Sequence, residues 1–264
     1  MLRNASTVHG YAIAASDGEL GTVSDFLFHD VSWLIRWLVV DTGHWLSGRK
    51  VLLPPLVLGH IDEEGQEFAV RLTKRQVQDS PDIDTNRPVS RQMETHVYDY
   101  YGWNPYWSAG MYMGGYGYSG SNMSGAVASS PYLGARRREE EIADARRRDD
   151  NPHLRSTQAL TGYHIHASDG GIGHVEDFLL EDVDWSIHYL VVDTKNWWPG
   201  KKVLISPRSV KRIDWTGKRV NLNVDRQRVK DSPAYDASTT VDRAYEHHFH
   251  DYYGDGAVQP SDRL

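Results

Sequence analysis

The chain has 264 residues, of which 39% are hydrophobic and 25% charged, a composition typical of a soluble globular protein. It contains no cysteine, which excludes disulfides, thiolate nucleophiles and cysteine-ligated metal centres. The net charge of -7 opposes contact with a phosphate backbone, so we expect no nucleic-acid partner. Because the sequence shows neither a secretory signal nor an apolar membrane span, we expect a cytoplasmic protein.

One sequence unit occurs twice. Residues 2–102 align with residues 154–254 without a gap, and slightly under half of the aligned pairs are identical. Each copy is long enough for a small core of its own, so we expect two linked domains. The predicted segments are repeat 1 (1–102), a linker (103–152), repeat 2 (153–254) and a tail (255–264).

The first part of each repeat has the pattern of short strands. In repeat 1 a turn at Ser16-Asp17-Gly18 separates two strands, which predicts a hairpin. Valine-rich and aromatic runs follow, interrupted by glycine and proline. The predicted strands are 11–14, 21–29, 35–41, 50–53 and 67–72. Five or six short strands with tight turns predict a small barrel or rolled sheet.

Helices are expected at the end of each repeat. Thr73 and its counterpart Asp225 are suited to cap a helix of one or two turns, and the apolar spacing in 89–100 predicts a longer one. Residues 103–134, rich in glycine, tyrosine, serine and methionine, lack periodicity and predict a flexible linker. Residues 135–150 alternate arginine and acidic clusters, which favours an exposed helix over a nucleic-acid site.

The run GYAIAASDGELGTVSDFLF, followed by WLIRWLVVDTG and RKVLLPP, resembles a PRC-barrel domain, the small β-barrel named after the cytoplasmic domain of the photosynthetic reaction-centre H subunit. The resemblance covers both repeats and excludes the linker. It implies a mainly β protein with two small PRC-type β-barrels, each followed by short helices, joined by a flexible linker. It is similar to the stand-alone bacterial tandem form, since the chain has neither the membrane helix of the H subunit nor the RNA-maturation domain of a related ribosome-maturation factor.

Repeated carboxylates are the first candidates for chemistry. Four of them recur in both repeats: Asp17, Asp25, Asp30 and Asp41 match Asp169, Asp177, Asp182 and Asp193. Paired carboxylates can perform acid–base work, but turns and strand ends are places where a carboxylate commonly accepts backbone hydrogen bonds. We therefore expect structural roles, no catalytic residue and no enzyme.

Histidines are the candidates for metal binding. His247, His248 and His250 lie within EHHFHD, but helical geometry points them in different directions. His164 and His166 have the spacing of one strand face, and repeat 1 has Ala12 and Ala14 there. We expect neither a metal nor another cofactor.

Tryptophans in the loop after the LVVDT strand are the candidates for a binding surface. Trp45 and the pair Trp197 and Trp198 occupy this loop in the two repeats, and tryptophan is favoured at interfaces. A core position is the alternative for the same side chains.

The leading hypothesis is a non-enzymatic tandem PRC-barrel adaptor that contacts a protein partner or a second copy. One alternative is a regulatory or sensor barrel that binds a small ligand or metal. The other, which rests on the resemblance, is a peripheral protein of photosynthetic reaction-centre assembly or proton delivery, with contact to a membrane complex but no membrane span.

Overall fold

The computed structural model describes residues 1–81, 91–103, 153–194 and 201–236, together with Val241 and Phe249. Repeat 1 contains seven strands. They are β1 (Leu2–Asn4), β2 (Ala12–Ala15), β3 (Gly18–His29), β4 (Ile35–Asp41), β5 (Lys50–Leu53), β6 (Leu58–Asp62) and β7 (Glu67–Val70). The predicted hairpin and the two valine-rich strands are confirmed, whereas β1 and β6 were not predicted.

Repeat 2 contains the same series and one additional short strand. The strands are β8 (Leu154–Ser156), β9 (His164–Ala167), β10 (Gly170–Glu181), β11 (Ser186–Asp193), β12 (Lys202–Ile205), β13 (Val210–Asp214), β14 (Arg219–Leu222) and β15 (Ala234–Tyr235). The helices of the chain are α1 (Ala5–Val8), α2 (Lys74–Gln78), α3 (Arg91–Tyr101), α4 (Thr157–Leu160) and α5 (Arg226–Lys230).

The two predicted helix caps are confirmed. The Thr73 hydroxyl accepts a hydrogen bond from the backbone N of Gln76, and the Gln76 side chain accepts one from the backbone N of Thr73, so that a complete capping box begins α2. Asp225 accepts a hydrogen bond from the backbone of Arg228 at the start of α5. Both caps satisfy amide groups that the first helical turn leaves without a partner.

The strands form two mixed sheets. The sheet built mainly from repeat 1 has seven strands in the order β5-β4-β3-β2-β7-β6, with β8 also paired to β3. The sheet built mainly from repeat 2 has eight, in the order β13-β14-β9-β10-β11-β12-β15, with β1 also paired to β10. The β2–β7 and β9–β14 pairs are parallel and the others antiparallel. Among the described strands, each sheet has an edge strand at both ends. The structure is therefore mainly β, with two open sheets rather than closed barrels.

A glycine lets strands β3 and β4 approach each other closely. Gly21 has a φ of 144°, and a Cβ atom at this position would overlap the carbonyl oxygen of Asp41. Gly173 has the same relation to Asp193 in repeat 2. The second glycine of each DG-x-x-G turn is therefore required by packing at a β-bulge, where the chain bends most strongly.

One apolar cluster fills the inner side of both sheets and includes buried side chains from both repeats. Two smaller clusters lie on the outer sides. Trp37, buried on the outer side of β4, packs edge-to-face on Tyr98 of α3 at a centroid distance of 5.0 Å. Tyr189 packs on Phe249 in the same way at 4.9 Å in repeat 2. Each sheet is thus covered on two sides, and the inner side is shared.

Candidate functional site: the contact between the repeats

The two repeats exchange their first strands. Strand β1 of repeat 1 is antiparallel to β10 of repeat 2, with Arg3 opposite Leu180. Strand β8 of repeat 2 is antiparallel to β3 of repeat 1, with Arg155 opposite Phe28. Each sheet is therefore completed by a strand of the other repeat, and the equivalence of the two exchanges gives the pair a pseudo-two-fold arrangement.

A carboxylate anchors each exchanged strand. Asp177 accepts hydrogen bonds from three groups of the incoming segment: Asn4 Nδ2 at 2.9 Å, the Ser6 backbone N at 3.1 Å and the Ser6 hydroxyl. It also accepts one from the backbone N of Phe178 at 2.8 Å. Because Asp177 is 9% exposed, its charge is balanced mainly by these four donors rather than by water.

Asp25 anchors the other exchange with the same pattern. It accepts hydrogen bonds from the hydroxyls of Ser156 and Thr157, from the backbone N of Gln158 at 3.2 Å and from that of Phe26 at 2.7 Å. Two of the recurring carboxylates thus have a structural role that the sequence did not specify: they bind the neighbouring repeat.

A second contact forms where β4 and β11 begin. The backbone N of Ile35 donates to the carbonyl of Trp185 at 2.7 Å, and the N of Ile187 donates to the carbonyl of Trp33 at 2.8 Å. Both tryptophans have a left-handed backbone, with φ values of 58° and 55°. Left-handed geometry is uncommon for so large a residue, so surrounding contacts must hold it in place.

Aromatic packing supports this second contact. The Trp185 ring lies 6.4 Å from Phe26 and 6.0 Å from Phe68 between centroids, so a side chain of repeat 2 packs among aromatic groups of repeat 1. Trp33 stacks on Phe28 at 5.3 Å and is 8% exposed. These tryptophans, which the sequence analysis assigned to no surface, contribute directly to the contact between the repeats.

Charged side chains surround the exchanged strands. Arg3 Nε lies 2.9 Å from Asp182 Oδ2, and its guanidinium also pairs with Glu63 of its own repeat. Burial alone would raise the pKa of Asp182, but hydrogen bonds from the Met1 amino group and Arg3 lower it below its ordinary value. At the equivalent position Arg155 lies 3.6 Å from Asp30 and stacks its guanidinium 4.5 Å from the Trp215 ring.

The turns that carry these tryptophans also expose an apolar side chain each. We call residues 30–33 and 182–185 the valine turns. Val31 is 68% exposed and Val183 82%, and both belong to the few large apolar residues of the described chain that face solvent. Because the backbones of the two turns contact the opposite repeat, the pair of valines has a fixed relative position.

Three other recurring carboxylates accept hydrogen bonds within their own repeats. Asp17 and Asp169 accept from the first backbone N of α2 and of α5, at 2.7 and 2.8 Å. Asp41 accepts from the backbone N of Gly43 at 2.9 Å. With these bonds and those of Asp25 and Asp177, most of the candidate acid–base groups have structural partners.

The structure places Trp45 within its own repeat. Its Nε1 donates to the carbonyl of Leu20 at 2.6 Å, Lys74 Nζ lies 4.7 Å from its ring centroid, and the side chain is half-buried against the inner core. Trp197 and Trp198 lie outside the described residues. A partner contact of this loop stays a prediction.

The histidines fall into two groups. His247, His248 and His250 lie outside the described residues, as do the arginine clusters of the linker. His164 and His166 lie on β9, and the register adds His174 of β10 directly opposite His164. The pKa of His166 lies below its ordinary value, because of burial and then the nearby charges of Arg219 and His164.

The described part of the chain has neither a preformed metal site nor a membrane-spanning helix. It holds no preformed group of three or more His, Asp or Glu side chains arranged for a metal ion. Its helices include none long and apolar enough to cross a membrane.

Comparison with known proteins gives a partial match without a described function. No family model matches the chain. An uncharacterized protein of Deinococcus radiodurans is 34% identical over 82 residues, which are 31% of this chain and 29% of that protein. The similarity therefore spans less than a third of the relative's length, and shows a bacterial protein with one similar segment.

Proposed function

We propose that the chain is a non-enzymatic interaction protein in which two PRC-barrel-like repeats form one rigid body that presents paired contact surfaces to a protein partner. The observation that carries the proposal is the reciprocal strand exchange, in which Asp25 and Asp177 each accept hydrogen bonds from the opposite repeat. Exchange fixes the relative position of the repeats, and a fixed pair of surfaces binds a two-site partner without an ordering cost.

The valine turns are the surfaces that support this proposal best. Exposing an apolar side chain of this size has an energetic cost that a bound partner removes. Single exposed valines are nevertheless common on protein surfaces. Here, however, Val31 and Val183 are equivalent positions of the two repeats and are held on turns that each accept a backbone hydrogen bond from the opposite repeat. A symmetric pair of apolar contacts suits a two-fold partner, such as a symmetric dimer.

The PRC-barrel assignment is part of the same proposal. The strand order of the repeats, a bent hairpin followed by two valine-rich strands and a returning pair, supports a rolled sheet of this kind. The resemblance itself rests on the motifs DG-x-x-G, DFL and LVVDT. Reaction-centre assembly rests on the family resemblance alone, and no described contact favours it.

The test compares partner recovery by three full-length chains in native lysate, quantified by mass spectrometry. The chains are the wild type, a V31D/V183D double variant and a control, Leu56→Asp, which also places a charge at an exposed apolar residue (52% exposed). We expect the double variant to lose a partner that the wild type and the control retain. Sedimentation of the purified wild type decides whether that partner is a second copy. Equal recovery by all three chains would contradict the proposed surface.

A further inference from the structure

We propose that the outer side of the second sheet carries a binding site for a divalent transition metal, formed by His164, His174 and His166. The site goes beyond the interaction function, and it does not involve the contact between the repeats. Imidazole nitrogen is a ligand that suits Cu²⁺, Ni²⁺ and Zn²⁺, and Cu²⁺ binds most tightly among the divalent first-row ions.

The strand register brings two of these histidines together. His164 of β9 and His174 of β10 are direct antiparallel partners. The backbone N of His164 donates to the carbonyl of Lys218, just before β14. The two histidines therefore face each other without a mutual backbone bond, the arrangement in which side chains approach most closely. Their Cβ atoms are then about 4.5–5.5 Å apart, a distance that two imidazoles sharing one metal ion can span.

All three side chains lie on the same side of the sheet. Tyr163, Ile165 and Ala167 belong to the inner apolar cluster, so His164 and His166 between them point to the outer side. Val175, the next residue after His174, belongs to that cluster too, which places His174 outside. His164 is exposed and the other two are half-buried, so a metal ion reaches the group from solvent.

Some neighbouring charges oppose metal binding at this site and others favour it. Arg219 is the parallel partner of His164 and opposes a bound cation. Glu176, two residues beyond His174, is the nearest acidic candidate along the strand: its Oε1 pairs with Lys202 Nζ at 2.8 Å, and its buried Oε2 has no hydrogen-bond partner. Since the described residues contain no preformed group of three ligands, His166 must change rotamer to join the His164–His174 pair.

Repeat 1 supplies the control for this site. Its equivalent positions are Ala12, Ala14 and Thr22, and Ala12 is paired with Thr22 in the same register. The triple substitution H164A/H166A/H174T therefore introduces residues that the same fold already accommodates. The reciprocal substitution, A12H/A14H/T22H, places three histidines on an equivalent frame.

The test uses the full-length, metal-free chain with His247, His248 and His250 replaced by alanine, so that the C-terminal histidines cannot contribute. Cu²⁺ is titrated by calorimetry against a competing chelator, and electron paramagnetic resonance counts the imidazole nitrogens bound. We expect one equivalent with at least two imidazoles, and at least about tenfold weaker binding after H164A/H166A/H174T, since even outer-shell changes cost 10–100-fold.

Two further chains complete the design. H44A/H60A removes two exposed histidines elsewhere and should leave the affinity unchanged. The repeat 1 graft should add a second equivalent. Unchanged Cu²⁺ affinity in the triple variant would overturn the site, and a graft that adds no equivalent would refute the argument from register.

Discussion

Replacing Asp177 tests whether the exchanged strand is held by its carboxylate. In Asp177→Ala four donors lose their acceptor at a site that is 9% exposed. The Ser6 hydroxyl can rotate to another partner, but two backbone amides and Asn4 Nδ2 are left without an acceptor, because the bond from Tyr235 reaches only the Oδ1 of Asn4. At about 1–3 kcal/mol for each buried unsatisfied group, we expect the free energy of unfolding to fall by about 4 kcal/mol.

Two companion variants make the result specific. Asp177→Asn keeps the shape and one accepting oxygen but turns an amide group toward donors, so we expect about half of that loss. Asp169→Ala removes an exposed carboxylate that accepts one backbone bond within its own repeat, so we expect a loss of about 1 kcal/mol.

The assay is urea unfolding of the three variants and the wild type, combined with hydrogen exchange. The amide of Ser6 should exchange much faster in Asp177→Ala, because the exchanged strand opens before the rest of the sheet. A loss no larger than that of Asp169→Ala, with Ser6 still protected, would refute the reasoning that this carboxylate holds the two repeats together.

Three further predictions concern other parts of the fold. Gly21→Ala should unfold at least several degrees below Gly10→Ala in a thermal scan, because a Cβ atom at residue 21 overlaps the backbone of β4, whereas one at residue 10 meets open space. Equal unfolding midpoints of the two variants would contradict this prediction. Trp45→Ala should lower the free energy of unfolding in urea by about 2 kcal/mol, less than the 3–5 kcal/mol expected for a fully buried tryptophan. Unchanged stability together with lost partner recovery would show instead that this loop belongs to the binding surface. Because the pKa of Asp182 is lower in the folded chain than its ordinary value of 3.8, its carboxylate stabilises the fold above pH 3.8, and this stability is lost as the pH falls below that value. Asp182→Asn should therefore flatten the acid side of the plot of stability against pH, and an unchanged acid slope would count against the ion pair of Asp182 with Arg3 and the Met1 amino group.

Local patterns were enough to predict the central strands. The β2–β3 hairpin and strands β4 and β5 follow from alternation, valine content and turn residues, all of which act over a few neighbouring positions. Thr73 and Asp225 were identifiable as helix caps for the same reason. These features depend on residues that are close to one another in the sequence, so the sequence alone predicts them.

The contact between the repeats could not be predicted in this way. Strands β1 and β8 have three residues each, too few for a period, and their partners lie in the other repeat. The recurrence of Asp25 and Asp177 was visible, but nothing in a single sequence says that their donors come from across the molecule. The left-handed backbone of Trp33 and Trp185 is likewise imposed by tertiary packing.

Strand exchange makes each repeat depend on the other. Cleavage in the linker would leave each repeat with a sheet completed by a strand of the other fragment. The fragments should therefore stay associated after cleavage, and each alone should lose the hydrogen bonds of its borrowed strand.

Strand exchange also sets the order in which a growing chain can fold on the ribosome. Arg3 finds its partner Asp182 only 179 residues later, so the N-terminal strand waits for most of the chain to be synthesised. Until β8 emerges, the end of β3 that it pairs with, Leu27–His29, presents an unpaired edge, the kind of edge through which sheets aggregate. At typical rates of 5–20 residues per second that interval lasts about 6–25 seconds, which makes the unfinished first repeat a client for a chaperone.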